Sequence, residues 1–272
     1  MNNSADIFDL YPAKTKCIGI LSIPHSGELL PDEFTEYLTP TREFLMRDVD
    51  FRVNELVNLE ELQDAGITII KSNIIRTAID LNRPKDLSLL NWKSNSKGEK
   101  VVLQEPNTET AQLLIEKYYS PYYETLNAII QSLHNSFSIP SFIDLHSMPS
   151  VAEQYHLKMN PHQERQRPDF CISDIEGLSC EEDFIQNIGQ ELNQVYPAIN
   201  YNNPYFGGHI TEHYNSTVKP LNNIQIEISR AIYMDEKSQT LIAEKVKLLN
   251  SVLTKALRNQ FTNYAKKYLI NS

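Results

Sequence analysis

The sequence predicts an α/β fold of three layers, a mixed, mostly parallel sheet with helices on both faces, and three features predict it. Residues 17–23 and 142–145 are apolar runs of strand length, which suits interior strands covered on both faces. Amphipathic helical patterns alternate with such runs along the chain, the order that lays strands side by side with helices across them. The first run stops at Pro24, and the 142 run, carried on through His146, stops at Pro149, because proline cannot continue a ladder.

Residues 1–15 are polar without a clear period and are expected to be a surface lead-in. After the first strand, His25-Ser-Gly27 turns the chain. Thr39 and Pro40 offer a helix start, but the spacing of Val49, Val53, Leu56 and Val57 is better, predicting a helix that begins near Asp48 and Asp50 and ends at Gly66. Residues 67–70 and 74–81 read as two strands, the second bringing Arg76 and Asp80 into Asn82-Arg83-Pro84. Residues 84–107 read as a long loop. A helical pattern covers about 108–133, kinked or split by Pro121.

The strand carrying His146 follows, and the polar stretch 151–168, with His156, His162, Arg165 and Arg167, reads as a lid. Residues 169–173 form a short strand candidate. Ser179-Cys-Glu-Glu182 has the form of a capping box ahead of Phe184, Ile185, Ile188 and Leu192, which predicts a helix. Residues 202–208 are turn chemistry. The strand around Glu227 comes next, and from about residue 235 the spacing of Leu241, Ile242, Val246, Leu249, Leu253 and Leu257 gives a long amphipathic helix.

At 272 residues and 41% hydrophobic, the chain suffices for one substantial core, and a single domain over 1–272 is expected. The net charge of −10 argues against nucleic acid and anionic membrane as partners, so an anionic substrate must rely on a few local arginines. Cys17, Cys171 and Cys180 form neither a disulfide framework nor a metal-type pair. With no leader-like start and no apolar stretch of membrane length, a cytoplasmic location is expected. Oligomeric state is left open.

His25 and His146 both follow apolar strands, at the carboxyl edge where open α/β sheets keep their ligands. Alone, either reads as a capping or core histidine; their matching placement points to a metal. Glu227 sits in a strand whose Ile224, Ile226 and Ile228 share the other face, a costly position for an acid unless it is paired or functional. Two imidazoles and a carboxylate at one edge suggest a hydrolytic zinc site. Asp50, Asp48 and Glu28 are candidates for the carboxylate ligand, Glu28 by its His-x-x-Glu spacing from His25. Asp144 is expected on the opposite side of the strand from His146, in a supporting role. Arg76 and Arg83, with Asn82 beside the latter, suit a substrate carboxylate gripped by parallel hydrogen bonds. Gly207-Gly208 reads as a turn or an anion cradle, and His213 and Tyr214 as polar site groups or surface residues.

Several separated blocks, in order, resemble the N-formylglutamate amidohydrolase family: Ile23-Pro-His-Ser-Gly27, Asp48-Val-Asp50, Arg76 through Asp80-Leu-Asn-Arg-Pro84, Asp144-Leu-His-Ser147, Gly207-Gly-His-Ile-Thr-Glu-His-Tyr214 and Gln225-Ile-Glu-Ile228. The resemblance implies a zinc carboxypeptidase-like (phosphorylase/hydrolase-like) fold and one zinc ion held by His25, Asp50 and His146. Asp50 is preferred to Glu28 because the family's His-Ser-Gly turn usually lacks an acid there. It further implies Glu227 as acid/base and Arg76, Asn82 and Arg83 on carboxylate or carbonyl oxygens, with Arg76 at the oxyanion; Gly208 and His213 are further candidates toward the substrate. The implied reaction cleaves the amide of an N-formyl or N-acyl amino acid into a carboxylic acid and the free amino acid, a step of amino-acid metabolism. His209 and Glu212 stand where family members commonly carry tyrosine and arginine, and Glu212 is expected to repel the second carboxylate of an acidic substrate. A zinc peptidase or cell-wall amidase on the same scaffold, or a non-catalytic carboxylate binder, are the alternatives.

Overall fold

The computed structural model describes residues 7–86, 93–218 and 220–270, so part of the expected lead-in (1–6) and part of the expected loop (87–92) lie outside the described residues. Seven strands form the main sheet: β1 (Phe8–Tyr11), β2 (Gly19–Ile23), β3 (Ile67–Ser72), β4 (Ser141–Met148), β5 (Phe170–Ser173), β6 (Ile199–Tyr201) and β7 (Asn222–Ser229). Their order is β1-β3-β2-β4-β7-β5-β6. The central strands β3, β2, β4 and β7 run parallel, while β1 and β5 join their neighbours antiparallel and β6 pairs parallel with β5. The helices are α1 (Arg42–Met46), α2 (Leu59–Asp64), α3 (Thr108–Leu114), α4 (Ser120–His134), α5 (Gln154–Met159), α6 (Glu182–Asn193), α7 (His209–Thr217) and α8 (Ala243–Tyr268).

Strand alternation divides the central residues between two apolar layers. Leu21, Ile23, Ile143, Leu145, Ile224, Ile226 and Ile228 pack on α2, α6 and α8. Ile20 and Phe142 face the other way, onto α3, α4 and α7. This second face turns polar toward the carboxyl ends, where Asp144, His146, Gln225 and Glu227 replace apolar residues. The α8 stripe Leu249, Leu253, Leu257 and Phe261 recurs every four residues and is wholly buried; each such side chain contributes roughly 1.5–3 kcal/mol. A Cβ on Gly19 would collide with the Phe261 ring, so the glycine is what lets α8 lie this close to β2.

Several expectations are corrected. Residues 8–11 are an edge strand, tied to its neighbour by Lys71 and Asn73, which both reach Asp9. The single helix expected over 48–66 is instead a 3₁₀ turn (Val53–Leu56) followed by α2, with α1 already ended at Met46, because Arg52 takes a left-handed conformation (φ 52°) that a right-handed helix does not accommodate. Residues 74–81 are not a strand: the amides of Ala78 and Ile79 both bond back to Ile75, closing a turn. Residues 209–217 form a helix, α7, and residues 199–201 a further strand. The helix after residue 179 is present, but Ser179 donates to the Asn223 carbonyl and Glu181 takes the N-cap position. α8 starts only at Ala243, since a small ribbon, β8 (Met234–Asp235) with β9 (Thr240–Leu241), precedes it. Pro121 does split the 108–133 helix, with a π-helical turn (Ile115–Tyr119) before α4.

Candidate metal centre and active-site cleft

His146 enters from the end of β4 and stands directly opposite Glu227 of β7 in the parallel register. His25 enters two residues beyond β2, and the Asp50 amide donates to its carbonyl (3.0 Å), which fixes the loop after α1 against the same edge. His146 Nδ1 lies 3.1 Å from His25 Nδ1 and 3.1 Å from Asp50 Oδ2. The candidate ligand atoms of the three residues all fall within 4.8 Å of one another, and all three are buried.

Each ring has a carboxylate behind it. His25 Nε2 is 2.7 Å from Asp80 Oδ1, and His146 Nε2 is 2.7 Å from Asp144 Oδ2. Such partners keep the proton on Nε2 and leave the Nδ1 lone pair as donor, the usual support of a metal-bound histidine. Asp144 is therefore on the same side as His146, not the opposite one: residues two apart in a strand share a face. Asp144 is anchored in turn by Ser22 Oγ (2.6 Å), which meets Tyr122 Oη at 3.0 Å. Asp80 is the other hub, accepting from Arg76 (3.0 Å) and the Asn82 amide (2.9 Å) as well as from His25. The 74–81 turn explains this, since it brings residues four apart together where a strand would hold them roughly 13 Å apart.

The electrostatics favour a cation. Burial works against charge at Asp50, but hydrogen bonds and charge from His146 and His25 outweigh it and hold the carboxyl well below the ordinary carboxylate range. Burial likewise disfavours a charged His146, yet Asp144 and Asp50 raise it well above the ordinary 6.5. Asp50 Oδ1 is buried without a hydrogen-bond partner. Two imidazole Nδ1 atoms 3.1 Å apart, beside an ionised carboxylate with one unpartnered oxygen, fit a divalent metal ion, which would take the place of the extra proton that the raised His146 otherwise holds.

Glu227 is 9% exposed and accepts from Gln225 Nε2 at 3.1 Å. Burial dominates its titration; His146 lowers it and Asp50 raises it, and the net result is a pKa pushed up to about 7. These groups border a cleft of about 710 Å³. Arg76, Asn82, Arg83 and Gly208 line it too. The Asn82 side-chain oxygen accepts from the Ile210 amide at the start of α7 (2.8 Å), and Gly208 packs so closely on the Asn82 amide that a Cβ would collide with it.

The other sequence candidates separate. Asp48 lines the cleft, but its carboxylate is occupied by the Ser96 amide and hydroxyl, and Glu28 pairs with Arg42. Neither belongs to the His25–Asp50–His146 cluster. His213 packs edge-on to Tyr123 and Tyr214 and is not part of the cleft wall. Glu212 is exposed on α7 and, like His213, is not part of the cleft wall. Sequence reasoning gave no role to Asp80, Arg167 or Arg230. The i,i+4 spacing of Arg76 and Asp80 was the signal available for the first. Arg230 lines the cleft, donating to the Val49 carbonyl at 2.8 Å and lying 3.6 Å from Asp50 Oδ1.

A mostly parallel α/β sheet that gathers two histidines and two acids at its carboxyl edge, above an arginine-lined cleft, defines a class: layered α/β proteins with a candidate metal centre. Residues 19–234 match the sequence model of the N-formylglutamate amidohydrolase family, and the chain belongs to that family. It is 26% identical over 252 residues to the N-formylglutamate deformylase of Pseudomonas putida, covering 88% of this chain and 90% of that protein. Against the N-formylglutamate deformylase of Pseudomonas aeruginosa it is 25% identical over 236 residues, covering 80% and 83%. The crystal structure of N-formylglutamate amidohydrolase from Ralstonia eutropha JMP134 superposes with a TM-score of 0.80 at 24% identity, covering 96% of this chain and 98% of that one, which shows the shared fold. No helix among the described residues is long and apolar enough to cross a membrane.

Proposed function

We propose that this protein is a cytoplasmic, zinc-dependent amidohydrolase that cleaves the amide of N-formylglutamate, or of a closely related N-acyl amino acid, to a carboxylic acid and the free amino acid. The observation that carries the reading is the pair of imidazole Nδ1 atoms 3.1 Å apart, beside Asp50 and across the strand pair from Glu227. Zinc held by His25, Asp50 and His146 would supply Lewis acidity and make water a competent nucleophile at neutral pH. Glu227, with a pKa near 7, takes the proton of the attacking water and returns it to the departing amine nitrogen. Arg76, fixed by Asp80, stabilises the charge that develops on the carbonyl oxygen. Asn82 and Arg83 hold the α-carboxylate, and Gly208, lacking a Cβ, leaves room for the Asn82 side chain packed against it.

The test is formate release from N-formyl-L-glutamate beside other N-acyl amino acids and short peptides, with chelated and zinc-restored protein. Hydrolysis of the formyl substrate that is lost on chelation and recovered with zinc is expected, and Glu227→Gln lowers the rate by roughly 10²- to 10⁴-fold. Cleavage of peptides alone would move the protein to the peptidase reading, and an unchanged rate in the variant would remove Glu227 from the chemistry.

A further inference from the structure

Four arginines line the cleft, and they differ in what neutralises them. Arg76 and Arg83 lie 3.0 Å and 3.5 Å from Asp80, and Arg230 lies 3.6 Å from Asp50. Among the described residues, Arg167 has no carboxylate within ion-pair distance, although it is only 5% exposed. A guanidinium buried without a counter-charge is costly, and the cost is relieved when an anion arrives.

What holds Arg167 is neutral and orienting. It donates to the Pro149 carbonyl (3.4 Å) and to Gln163 Oε1 (3.1 Å), and its planar head lies over the Tyr205 ring, 5.2 Å from the centroid. Its Nε has no hydrogen-bond partner. Tyr205 is also on the cleft wall, and its phenol feels Glu227 as well as Arg167, so the unneutralised cation and the candidate acid/base border the same space. Glu212 is not part of that wall.

We infer that Arg167 is the specificity-determining residue that receives a second carboxylate of the substrate. The assignment rests on the reading under Proposed function. The reacting amide then lies at the metal cluster and Glu227, the α-carboxylate at Asn82 and Arg83, and the side-chain carboxylate at Arg167, which comes from the segment expected to act as a lid.

The experiment compares wild type, Arg167→Gln and Arg167→Lys on N-formyl-L-glutamate and N-formyl-L-glutamine, which differ in the distal charge, and measures glutarate and butyrate binding to each protein by calorimetry. Wild type should prefer the glutamate derivative, and Arg167→Gln should lower that preference roughly 10- to 100-fold, the worth of a charged hydrogen-bond pair. Arg167→Lys should recover part of it. Glutarate binding should weaken in Arg167→Gln relative to butyrate. Equal losses on both substrates, or glutarate affinity independent of residue 167, would overturn the assignment by reducing Arg167 to a structural role. If wild type hydrolyses neither compound while glutarate binding still depends on Arg167, the carboxylate receptor stands and the formyl-amide reading falls.

Discussion

Glu227 shows how a residue can be costly to the fold and useful to the chemistry. Burial raises its pKa from the ordinary 4.5 to about 7, so the folded protein keeps this proton over a range in which the unfolded chain releases it. The protonated acid's contribution to stability is full below the unfolded value and lost as pH rises through the folded one. In chelated protein, Glu227→Gln should therefore raise the Tm at about pH 8 and give no gain at about pH 4. A melt at the higher pH that is no more stable than wild type would contradict the burial cost assigned to this acid. At the same scale, His25, His146 and Glu227 were legible because each is a polar residue at the end of, or embedded in, an apolar run. Asp80 was not, because its role depends on a turn that the apolar run 74–81 disguises as a strand. The supporting role of Asp144 is legible in its place beside His146, but strand alternation puts it on the same side as that ring and not the opposite one.

Among the elements, those with a sustained period came through the sequence well. β2, β4, β7, α4, α6 and α8 stand near where their patterns put them, whereas α7 follows Gly207-Gly208 and carries too few apolar residues to declare itself. The stretch 48–66 failed for a local reason, the left-handed backbone at Arg52, which apolar spacing does not record. α8 is the element whose packing is most exposed to test. Leu253 is fully buried among the residues that cover the apolar face of the sheet. Leu253→Ala should cost roughly 2–5 kcal/mol in a urea titration, because the cavity closes only in part. A cost below about 1 kcal/mol would mean that α8 is not the packed layer described.

For the molecule as a whole, the two faces of one sheet divide the labour. The face toward α2, α6 and α8 is apolar through its centre, at Leu21, Ile23, Ile143, Leu145, Ile224, Ile226 and Ile228, while the face toward α3, α4 and α7 is apolar at one end and carries the histidines and acids at the other. The site thus sits on rigid strands beside a deep apolar layer, which holds the side chains in register. Three of the four cleft arginines are matched by Asp80 and Asp50, so in a chain with a net charge of −10 it is the fourth, Arg167, that brings an uncompensated positive charge to the wall. Fold class and family could be read from ordered motifs, because these mark strand ends; the arginine wall could not, because Arg76, Arg167 and Arg230 converge only through tertiary structure. The most direct test is the zinc content of protein reconstituted after chelation, wild type against His146→Ala. The expected result is one ion per chain in wild type and none in the variant; equal zinc in both, or none in either, would contradict a metal held between the two histidines.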